Sequence, residues 1–201
     1  MNLSTEAPVD DVSTRILEAA EALLEERGID GVQVREVAER AKTSTMGVYS
    51  RFGGKSGLLD QLYIRGFERL RGAAAPIRGK GEPTEELEWM AEAYRSHAHE
   101  WPRHYDLMFG RGVPGFEPSA EARATALEGF QVWVDSVKRA TDAGVLSGRP
   151  DENAFRLWAL NHGYVSLELA DMAPTGSERA LRQRHRAAFR AFLMGLQTPA
   201  T

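Results

Sequence analysis

The chain has 201 residues, of which 42% are hydrophobic, and its formal net charge is -4. This length accommodates one domain or two small ones with a hydrophobic core. The absence of cysteine excludes disulfides, thiolate metal sites and a thiol nucleophile, which suits a cytoplasmic protein. The acidic, polar N-terminal segment MNLSTEAPVDD is unlike a signal peptide, and no stretch approaches the roughly 18 apolar residues of a membrane span. We therefore expect a soluble cytoplasmic protein without a membrane partner, with residues 1–10 disordered.

Apolar residues recur at helical spacing along most of the chain, and we predict an all-α fold. The first helical stripe, closed by Gly28, consists of Ile16, Ala19, Ala20, Leu23 and Leu24. A connecting helix is expected from Leu58 to about Ala75, before a break in the Gly- and Pro-rich segment 77–84. Five later helices are expected: one stopped by Pro102, a short one through Tyr105, Met108 and Phe109, one ending near Gly144, one capped by Asp151, and one spanning about Ser177 to Leu196.

Residues 37–52, VAERAKTSTMGVYSRF, have the pattern of two short helices joined by a tight turn. An apolar stripe on the first helix is formed by Val34, Val37, Ala38 and Ala41. Ser44 is expected to cap the second helix, which buries Val48 and Phe52. The opposite side of that helix carries Thr45, Met46, Tyr49 and Ser50. This arrangement predicts a helix-turn-helix.

The segment from Arg40 to Leu59 is positively charged within an acidic chain. Its four cations, with no carboxylate among them, are Arg40, Lys42, Arg51 and Lys55. A local positive patch on an acidic protein indicates a polyanionic partner at that patch.

Residues 14–59, TRILEAAEALLEERGIDGVQVREVAERAKTSTMGVYSRFGGKSGLL, resemble the DNA-binding domain of the TetR family of transcriptional regulators. A second segment, RLWALNHGYVSLEL at residues 156–169, is similar to the Trp-His-Gly class of TetR C-terminal domains through Trp158, His162 and Gly163. The resemblance implies a helical homodimer that binds a near-palindromic double-stranded DNA operator and releases it when a small molecule binds. It also implies a DNA-binding domain at residues 1–70 and a ligand-binding, dimerising domain at residues 71–201.

Nine residues are candidates for DNA contact: Arg35, Lys42, Ser44, Thr45, Met46, Tyr49, Ser50, Arg51 and Lys55. A recognition helix presents hydrogen-bonding and small apolar groups to base edges while its flanks hold phosphates. Thr45 and Ser50 can serve bases, Met46 can touch a thymine methyl, and Tyr49 can reach a phosphate. Arg35 matches a family position able to reach guanine, and Lys55 lies where a helix N-terminus can help to hold phosphate. The alternatives are a packing role for the Tyr49 ring and solvated surface charge for the cations.

Three residues depart from the family pattern. Lys42 stands at the usual turn glycine, where positive φ would cost on the order of 1 kcal/mol. Gln33 stands where the family places a threonine cap, and Gly47 lowers the intrinsic stability of the recognition helix by up to about 1 kcal/mol. The operator sequence therefore cannot be taken from relatives.

The C-terminal region holds all four tryptophans. Ten residues there are candidates to line an apolar ligand pocket: Trp89, Tyr94, Trp101, Tyr105, Met108, Phe109, Phe130, Trp133, Trp158 and His162. Core packing is the alternative for the rings, and a satisfied core or interface histidine is the alternative for His162. The last two helices resemble the family's dimer-forming pair, and Ala187, Ala188, Ala191 and Gly195 would permit close approach of helices or simple intrachain packing.

Two apparent nucleotide-binding motifs fail on their context. GGKSG at residues 53–57 follows a helix rather than a strand, and GRGVPG at residues 110–115 lies in no βαβ unit. His97 and His99 point about 200° apart on a helix, which opposes a shared metal ion. We expect no catalytic site, no metal and no cofactor.

These patterns favour a one-component transcriptional regulator, a repressor released by a small apolar ligand, rather than an enzyme. One alternative is an enzyme or ligand carrier that retains a helix-turn-helix. Another is a regulator controlled by a partner protein instead of a small molecule.

Overall fold

A computed structural model describes residues 11–110 and 114–197. These residues form nine α-helices: α1 (Asp11–Arg27), α2 (Val34–Arg40), α3 (Thr45–Phe52), α4 (Lys55–Ala74), α5 (Pro83–Glu100), α6 (Pro102–Phe109), α7 (Ala120–Asp142), α8 (Pro150–Leu169) and α9 (Glu178–Met194). A short 3-10 helix, Ile29–Gly31, links α1 to α2. The described residues contain no strand beyond an isolated bridge between Leu146 and Gln197, so the all-α prediction is confirmed.

The start of α8 differs from the prediction. Asp151 was expected as the cap, but the helix begins at Pro150 with Arg149 in the cap position. Proline suits the first helical position because its missing N–H has no partner there. Asp151 lies inside the first turn instead, where it accepts a 2.7 Å hydrogen bond from Arg149 Nη2. The expected disorder of residues 1–10 and the middle of the loop at 110–115 lie outside the described residues.

The N-terminal unit comprises the described residues up to Gly66 together with 103–110 and 114–123. Its core is built from the apolar faces of α1 to α4, with Ile16, Leu24, Val37, Val48 and Leu58 fully buried. The predicted stripe of α1 and the buried side of the helix-turn-helix therefore meet in one core.

Helix α6 belongs to this N-terminal unit, whereas the sequence placed a single domain boundary at residue 70. The His104 ring is fully buried, with Nδ1 2.5 Å from Glu25 Oε1 and Nε2 3.2 Å from Glu21 Oε1, both on α1. Met108 packs so closely on Gly66 of α4 that a Cβ there would lie 2.6 Å from its sulfur. Pairings this distant along the chain cannot be inferred from helical periodicity.

The C-terminal unit comprises Phe67–Pro102 and Ala124 onwards. Helices α5, α8 and α9 pack on one another, burying Leu87, Leu157 and Phe189. Among the described residues, no helix is both long enough and apolar enough to cross a membrane.

A buried ion-pair cluster joins α5 to α8 and α9. Arg95 is 1% exposed and donates from Nε to Glu168 Oε2 at 2.8 Å and from Nη1 to Glu178 Oε1 at 2.8 Å. His99 Nε2 also lies 2.8 Å from Glu168 Oε2. Because separating a buried pair leaves an uncompensated charge, the pairing of Arg95 with Glu168 disfavours arrangements that move α5 away from α8.

Candidate nucleic-acid interface

The turn between α2 and α3 keeps the geometry that the family glycine usually supplies. Lys42 adopts a φ of 53°, and Thr43 N–H donates to Ala38 O at 2.9 Å to close the end of α2. Arg15 Nε from α1 donates to Ala41 O at 3.3 Å and satisfies another terminal carbonyl. The turn has not shifted, and the ammonium group of Lys42 is attached at the turn residue that has a left-handed backbone conformation.

Helix α3 begins and ends at the predicted residues. The Ser44 hydroxyl accepts from Gly47 N–H at 3.0 Å, as expected of a cap. Gly53 ends the helix in the left-handed conformation at φ 70°. Val48 is fully buried, which leaves the other side of α3 facing outward.

Gly47 has a packing reason that the sequence does not reveal. A Cβ at this position would lie 2.7 Å from Thr43 Oγ1. The glycine therefore lets the turn residue Thr43 pack against the first turn of α3, which offsets part of the helix propensity lost.

The outer face of α3 carries four of the predicted DNA contacts. Met46 is 73% exposed and Tyr49 55%, and Thr45 and Ser50 are exposed as well. Ser50 donates its hydroxyl to Gly47 O at 3.2 Å, so only its oxygen lone pairs remain for another partner. Ser44 is exposed too, but its oxygen already serves the cap.

The Tyr49 ring lies against the backbone of Gly54, in the turn before α4. A Cβ on Gly54 would come within 2.9 Å of Tyr49 Cε1. The next glycine, Gly57, packs against the carbonyl oxygen of Phe52 closely enough that a Cβ would overlap it. The glycines of GGKSG thus shape the α3–α4 turn, and both interpretations of Tyr49, packing and phosphate contact, are compatible with this placement.

Fewer cations of the segment from Arg40 to Leu59 are free of a carboxylate than the sequence suggests. Arg40 forms two hydrogen bonds to Glu26 of α1, at 2.9 and 2.5 Å, and this contact raises the pKa of Arg40 and lowers that of Glu26. Arg51 Nη1 donates to Gly47 O at 3.4 Å. By contrast, Arg35, Lys42 and Lys55 make no ion pair or side-chain hydrogen bond within the described chain.

Lys55 is the first residue of α4, so its positive charge stands beside the helix N-terminus. The first intrahelical bond at this end runs from Leu58 N–H to Gly54 O, which leaves the amides of the first turn without helical acceptors. Such amides, the helix dipole and an ammonium group together favour an anion. The chemistry matches a phosphate of a DNA backbone.

Two family models match this chain. Residues 16–62 match the model of bacterial regulatory proteins of the tetR family, and residues 87–192 match that of the tetracyclin repressor-like C-terminal domain. The chain belongs to the tetR family of bacterial regulatory proteins. Membership supports a DNA-binding transcriptional regulator. The Trp-His-Gly class is not specified by these matches and stays a prediction.

Solved structures show the same fold at low sequence identity. A protein of unknown function from Rhodococcus sp. RHA1 has a TM-score of 0.82 at 24% identity, covering 98% of this chain and 100% of that one. The TetR family transcriptional regulator PfmR from Thermus thermophilus has 0.66 at 21%, covering 88% and 97%. The fatty acid degradation regulator FadR from Bacillus halodurans has 0.69 at 14%, covering 95% and 98%. No curated protein matches the chain in sequence.

The C-terminal unit of this tetR-family member contains a small cavity between α4, α5 and α7. Its volume is about 20 Å³, which suits a water molecule rather than an organic effector. Two of the predicted ligand contacts, Tyr94 and Trp133, line it, together with Leu70, Arg71, Ala74, Met90, Ala93, Gly129 and Val132.

His162 is hydrogen-bonded through both ring nitrogens. Nδ1 lies 3.1 Å from the Tyr94 hydroxyl, and Nε2 lies 3.4 Å from the Ser166 hydroxyl. Burial lowers the pKa of His162, which favours the neutral ring that can donate at one nitrogen and accept at the other. These contacts favour the satisfied core histidine over a free ligand group.

The other predicted pocket residues are dispersed. Phe130 and Trp158 cluster with Phe155 at centroid distances of 5.5 to 6.5 Å. Arg69 lies over the Trp101 ring, 4.3 Å from its centroid. Trp89 packs over Gly81, while Tyr105, Met108 and Phe109 belong to the N-terminal unit.

Several large apolar side chains remain exposed on α8 and α9. They are Phe155, Leu167, Phe192 and Met194, at 37 to 61% exposure. Ala187 and Ala191 of the predicted small-residue set are exposed beside them, whereas Ala188 is half-buried. Gly195 is exposed just after α9.

Proposed function

We propose that this protein is a transcriptional repressor that binds a near-palindromic operator as a homodimer and releases it when a small, mainly apolar molecule binds the C-terminal unit. The observation that carries the proposal is the outer face of α2, α3 and the start of α4. There, exposed Met46 and Tyr49 lie on the same surface as Arg35, Lys42 and Lys55, which no carboxylate of the described chain neutralises.

Different residues on this face suit contacts to phosphates and contacts to bases. Lys42 and Lys55 lie at the ends of α3, where they can contact phosphates, and the exposed side chains of α3 can enter the major groove between them. Arg35 is exposed near the start of α2, and its guanidinium can form a bidentate pair with guanine.

Homodimerisation is supported by the exposed apolar side chains of α8 and α9. Phe155 and Met194 are large apolar residues that are more than half exposed, and a partner chain would remove such surface from water. A two-fold dimer would present two copies of α3 to half-sites about one helical turn, roughly 34 Å, or a multiple apart.

An effector that binds beside Tyr94 and Trp133 requires the C-terminal unit to change shape there, because this cavity is too small for an organic molecule. A ligand that binds an opened conformer stabilises that conformer by its difference in affinity for the two states. Typical coupling is about 1–3 kcal/mol, and DNA must weaken ligand binding by the same factor.

Selection of bound duplexes from a random library, using the purified full-length chain, tests the DNA-binding proposal. We expect an enriched near-palindrome whose half-sites are related by two-fold symmetry. Enrichment of no sequence would contradict specific DNA binding and would favour the enzyme or ligand-carrier alternative.

Tryptophan fluorescence tests control by a small molecule, since all four tryptophans lie after residue 70. A true inducer should change the emission and release DNA over the same concentration range. Trp133→Ala should weaken both responses in a folded dimer. If both responses stay intact, the effector does not bind beside Trp133.

A further inference from the structure

The outer face of α3 combines hydroxyl groups with one exposed thioether side chain, that of Met46. Ser44 accepts from the Gly47 amide and keeps its hydroxyl hydrogen, whereas Ser50 donates its hydroxyl hydrogen to Gly47 O and keeps its lone pairs. Thr45 is exposed and makes no side-chain hydrogen bond within the described chain. Base recognition by this helix can therefore combine hydrogen bonds with apolar contact.

Met46 is the largest apolar group available for that contact. It is the second residue of α3, and 73% of its surface is exposed. In a helix-turn-helix, the N-terminal residues of the recognition helix contact base edges. The following residue, Gly47, carries no side chain that could hold the DNA away.

The major groove offers one apolar group at a base edge, the C5-methyl of thymine. Contact between a methionine side chain and any other base edge would remove water from donors and acceptors without replacing their hydrogen bonds. The flexible, polarisable thioether can adapt its shape to a methyl group.

We propose that Met46 is a specificity-determining residue that reads the C5-methyl group of one thymine in each half-site. This inference rests on the proposed DNA-binding function and names the base chemistry that α3 recognises. Burying one methyl-sized group contributes a factor of about four in affinity per half-site, or about 15 for two half-sites.

Replacement of thymine by deoxyuridine removes the methyl and leaves every hydrogen-bonding group in place. Each thymine of the selected operator is replaced in turn, in both half-sites together, and the dissociation constant is measured at fixed salt. Wild-type protein should lose about 15-fold at one thymine position. Met46→Ala should bind the thymine and uracil duplexes equally at that position and keep the wild-type response at the others.

Met172→Ala is the matched control. Met172 has the same side chain, is 72% exposed, and lies beyond α8 in the C-terminal unit. This variant should keep the full wild-type sensitivity to uracil. Thermal melting of both variants should match wild type, since neither side chain is buried.

The outcomes separate the two proposals. If no duplex is bound in preference to a scrambled one, both the DNA-binding function and the methyl readout are overturned. If a specific operator exists but its half-site lacks thymine, or uracil has no effect anywhere, only the methyl readout is overturned. Equal sensitivity of wild type and Met46→Ala also overturns it.

Discussion

The cations beside α3 and those on α9 look alike in sequence, yet the structure gives them different surroundings. Near α3, Arg35, Lys42 and Lys55 have no carboxylate partner within the described chain. The charge of this face is therefore available to an external polyanion.

On α9, three of the five arginines contact acidic residues of α5. Arg186 and Arg190 both contact Glu88, at 3.4 and 2.6 Å, and Arg182 Nε lies 2.9 Å from Glu92 Oε1. Glu88 is only 8% exposed, and these arginines lower its pKa by hydrogen bonding and charge. Arg182, Arg186 and Arg190 thus form interhelical ion pairs.

The difference teaches that the number of cations in a segment does not give the charge that a partner meets. Arg40 belongs to the cation-rich segment by sequence but is neutralised by Glu26, 14 residues earlier.

The largest effect is expected where a cation is paired and buried. Arg95→Leu would leave Glu168 in the interior without its guanidinium partner. Breaking a buried pair typically costs about 3–5 kcal/mol, so the free energy of unfolding should fall by that amount in denaturant titration. Arg190→Ala, which breaks an exposed contact, is the control, and an equal loss in both variants would contradict the contrast.

The same cluster makes stability depend on pH. Burial, reinforced by the charge of Arg95, lowers the pKa of His185 to about 4. Because the unfolded state then takes up a proton that the folded state refuses, stability should fall by about 3 kcal/mol as the pH drops from about 6.5 to 4, and this effect should level off below 4. His185→Gln should remove this component in denaturant titrations at a series of pH values; an unchanged profile would refute the assignment.

For the unpaired cations, the loss should appear in DNA binding rather than in stability. Arg35→Ala should reduce discrimination between the selected operator and a variant at the contacted guanine by about 1–3 kcal/mol. Competition binding measures this ratio. The melting temperature should not change, since Arg35 is exposed and has no partner to lose. A uniform loss for all sequences would show that Arg35 contacts a phosphate instead.

A smaller effect is expected from the glycine turn that supports Tyr49. Gly54→Ala should displace the Tyr49 ring, whose hydroxyl is proposed to contact a phosphate. DNA binding should weaken by about 1 kcal/mol, the typical contribution of one hydrogen bond. Gly53→Ala is the control, because a Cβ there meets nothing within 4 Å although φ is also positive. In a Tyr49→Ala background Gly54→Ala should have no further effect, and a full additional loss would indicate a cause other than Tyr49.

Local features of this chain were predictable from sequence, whereas long-range pairings were not. The cap at Ser44, the end of α3 at Phe52 and the buried Val48 follow from residue types and helical spacing. The contacts of Arg40 with Glu26 and of Arg95 with Glu168 join helices whose relative positions no local pattern specifies. Arg95 lies within the buried stripe of α5, where a charged residue signals the need for a partner. That partner, Glu168, is 73 residues away along the chain.

Sequence identified Gly47 only as a departure from the family pattern and Gly54 only as part of GGKSG. Their packing roles come from the Thr43 and Tyr49 side chains that lie against them. The cavity was likewise hidden, because aromatic content does not reveal whether rings enclose space or fill it. Tyr94 and Trp133 border about 20 Å³, while Phe130 and Trp158 pack with each other.

The salt dependence of operator affinity tests the central contrast most directly. Dissociation constants for the selected duplex are measured over a series of salt concentrations for wild type, Lys55→Ala and Arg190→Ala. If Lys55 is free to neutralise a phosphate and Arg190 is committed to Glu88, the slope of log affinity against log salt should become shallower by about one for Lys55→Ala and stay unchanged for Arg190→Ala. An unchanged slope for Lys55→Ala, or an equal change for both variants, would contradict the account.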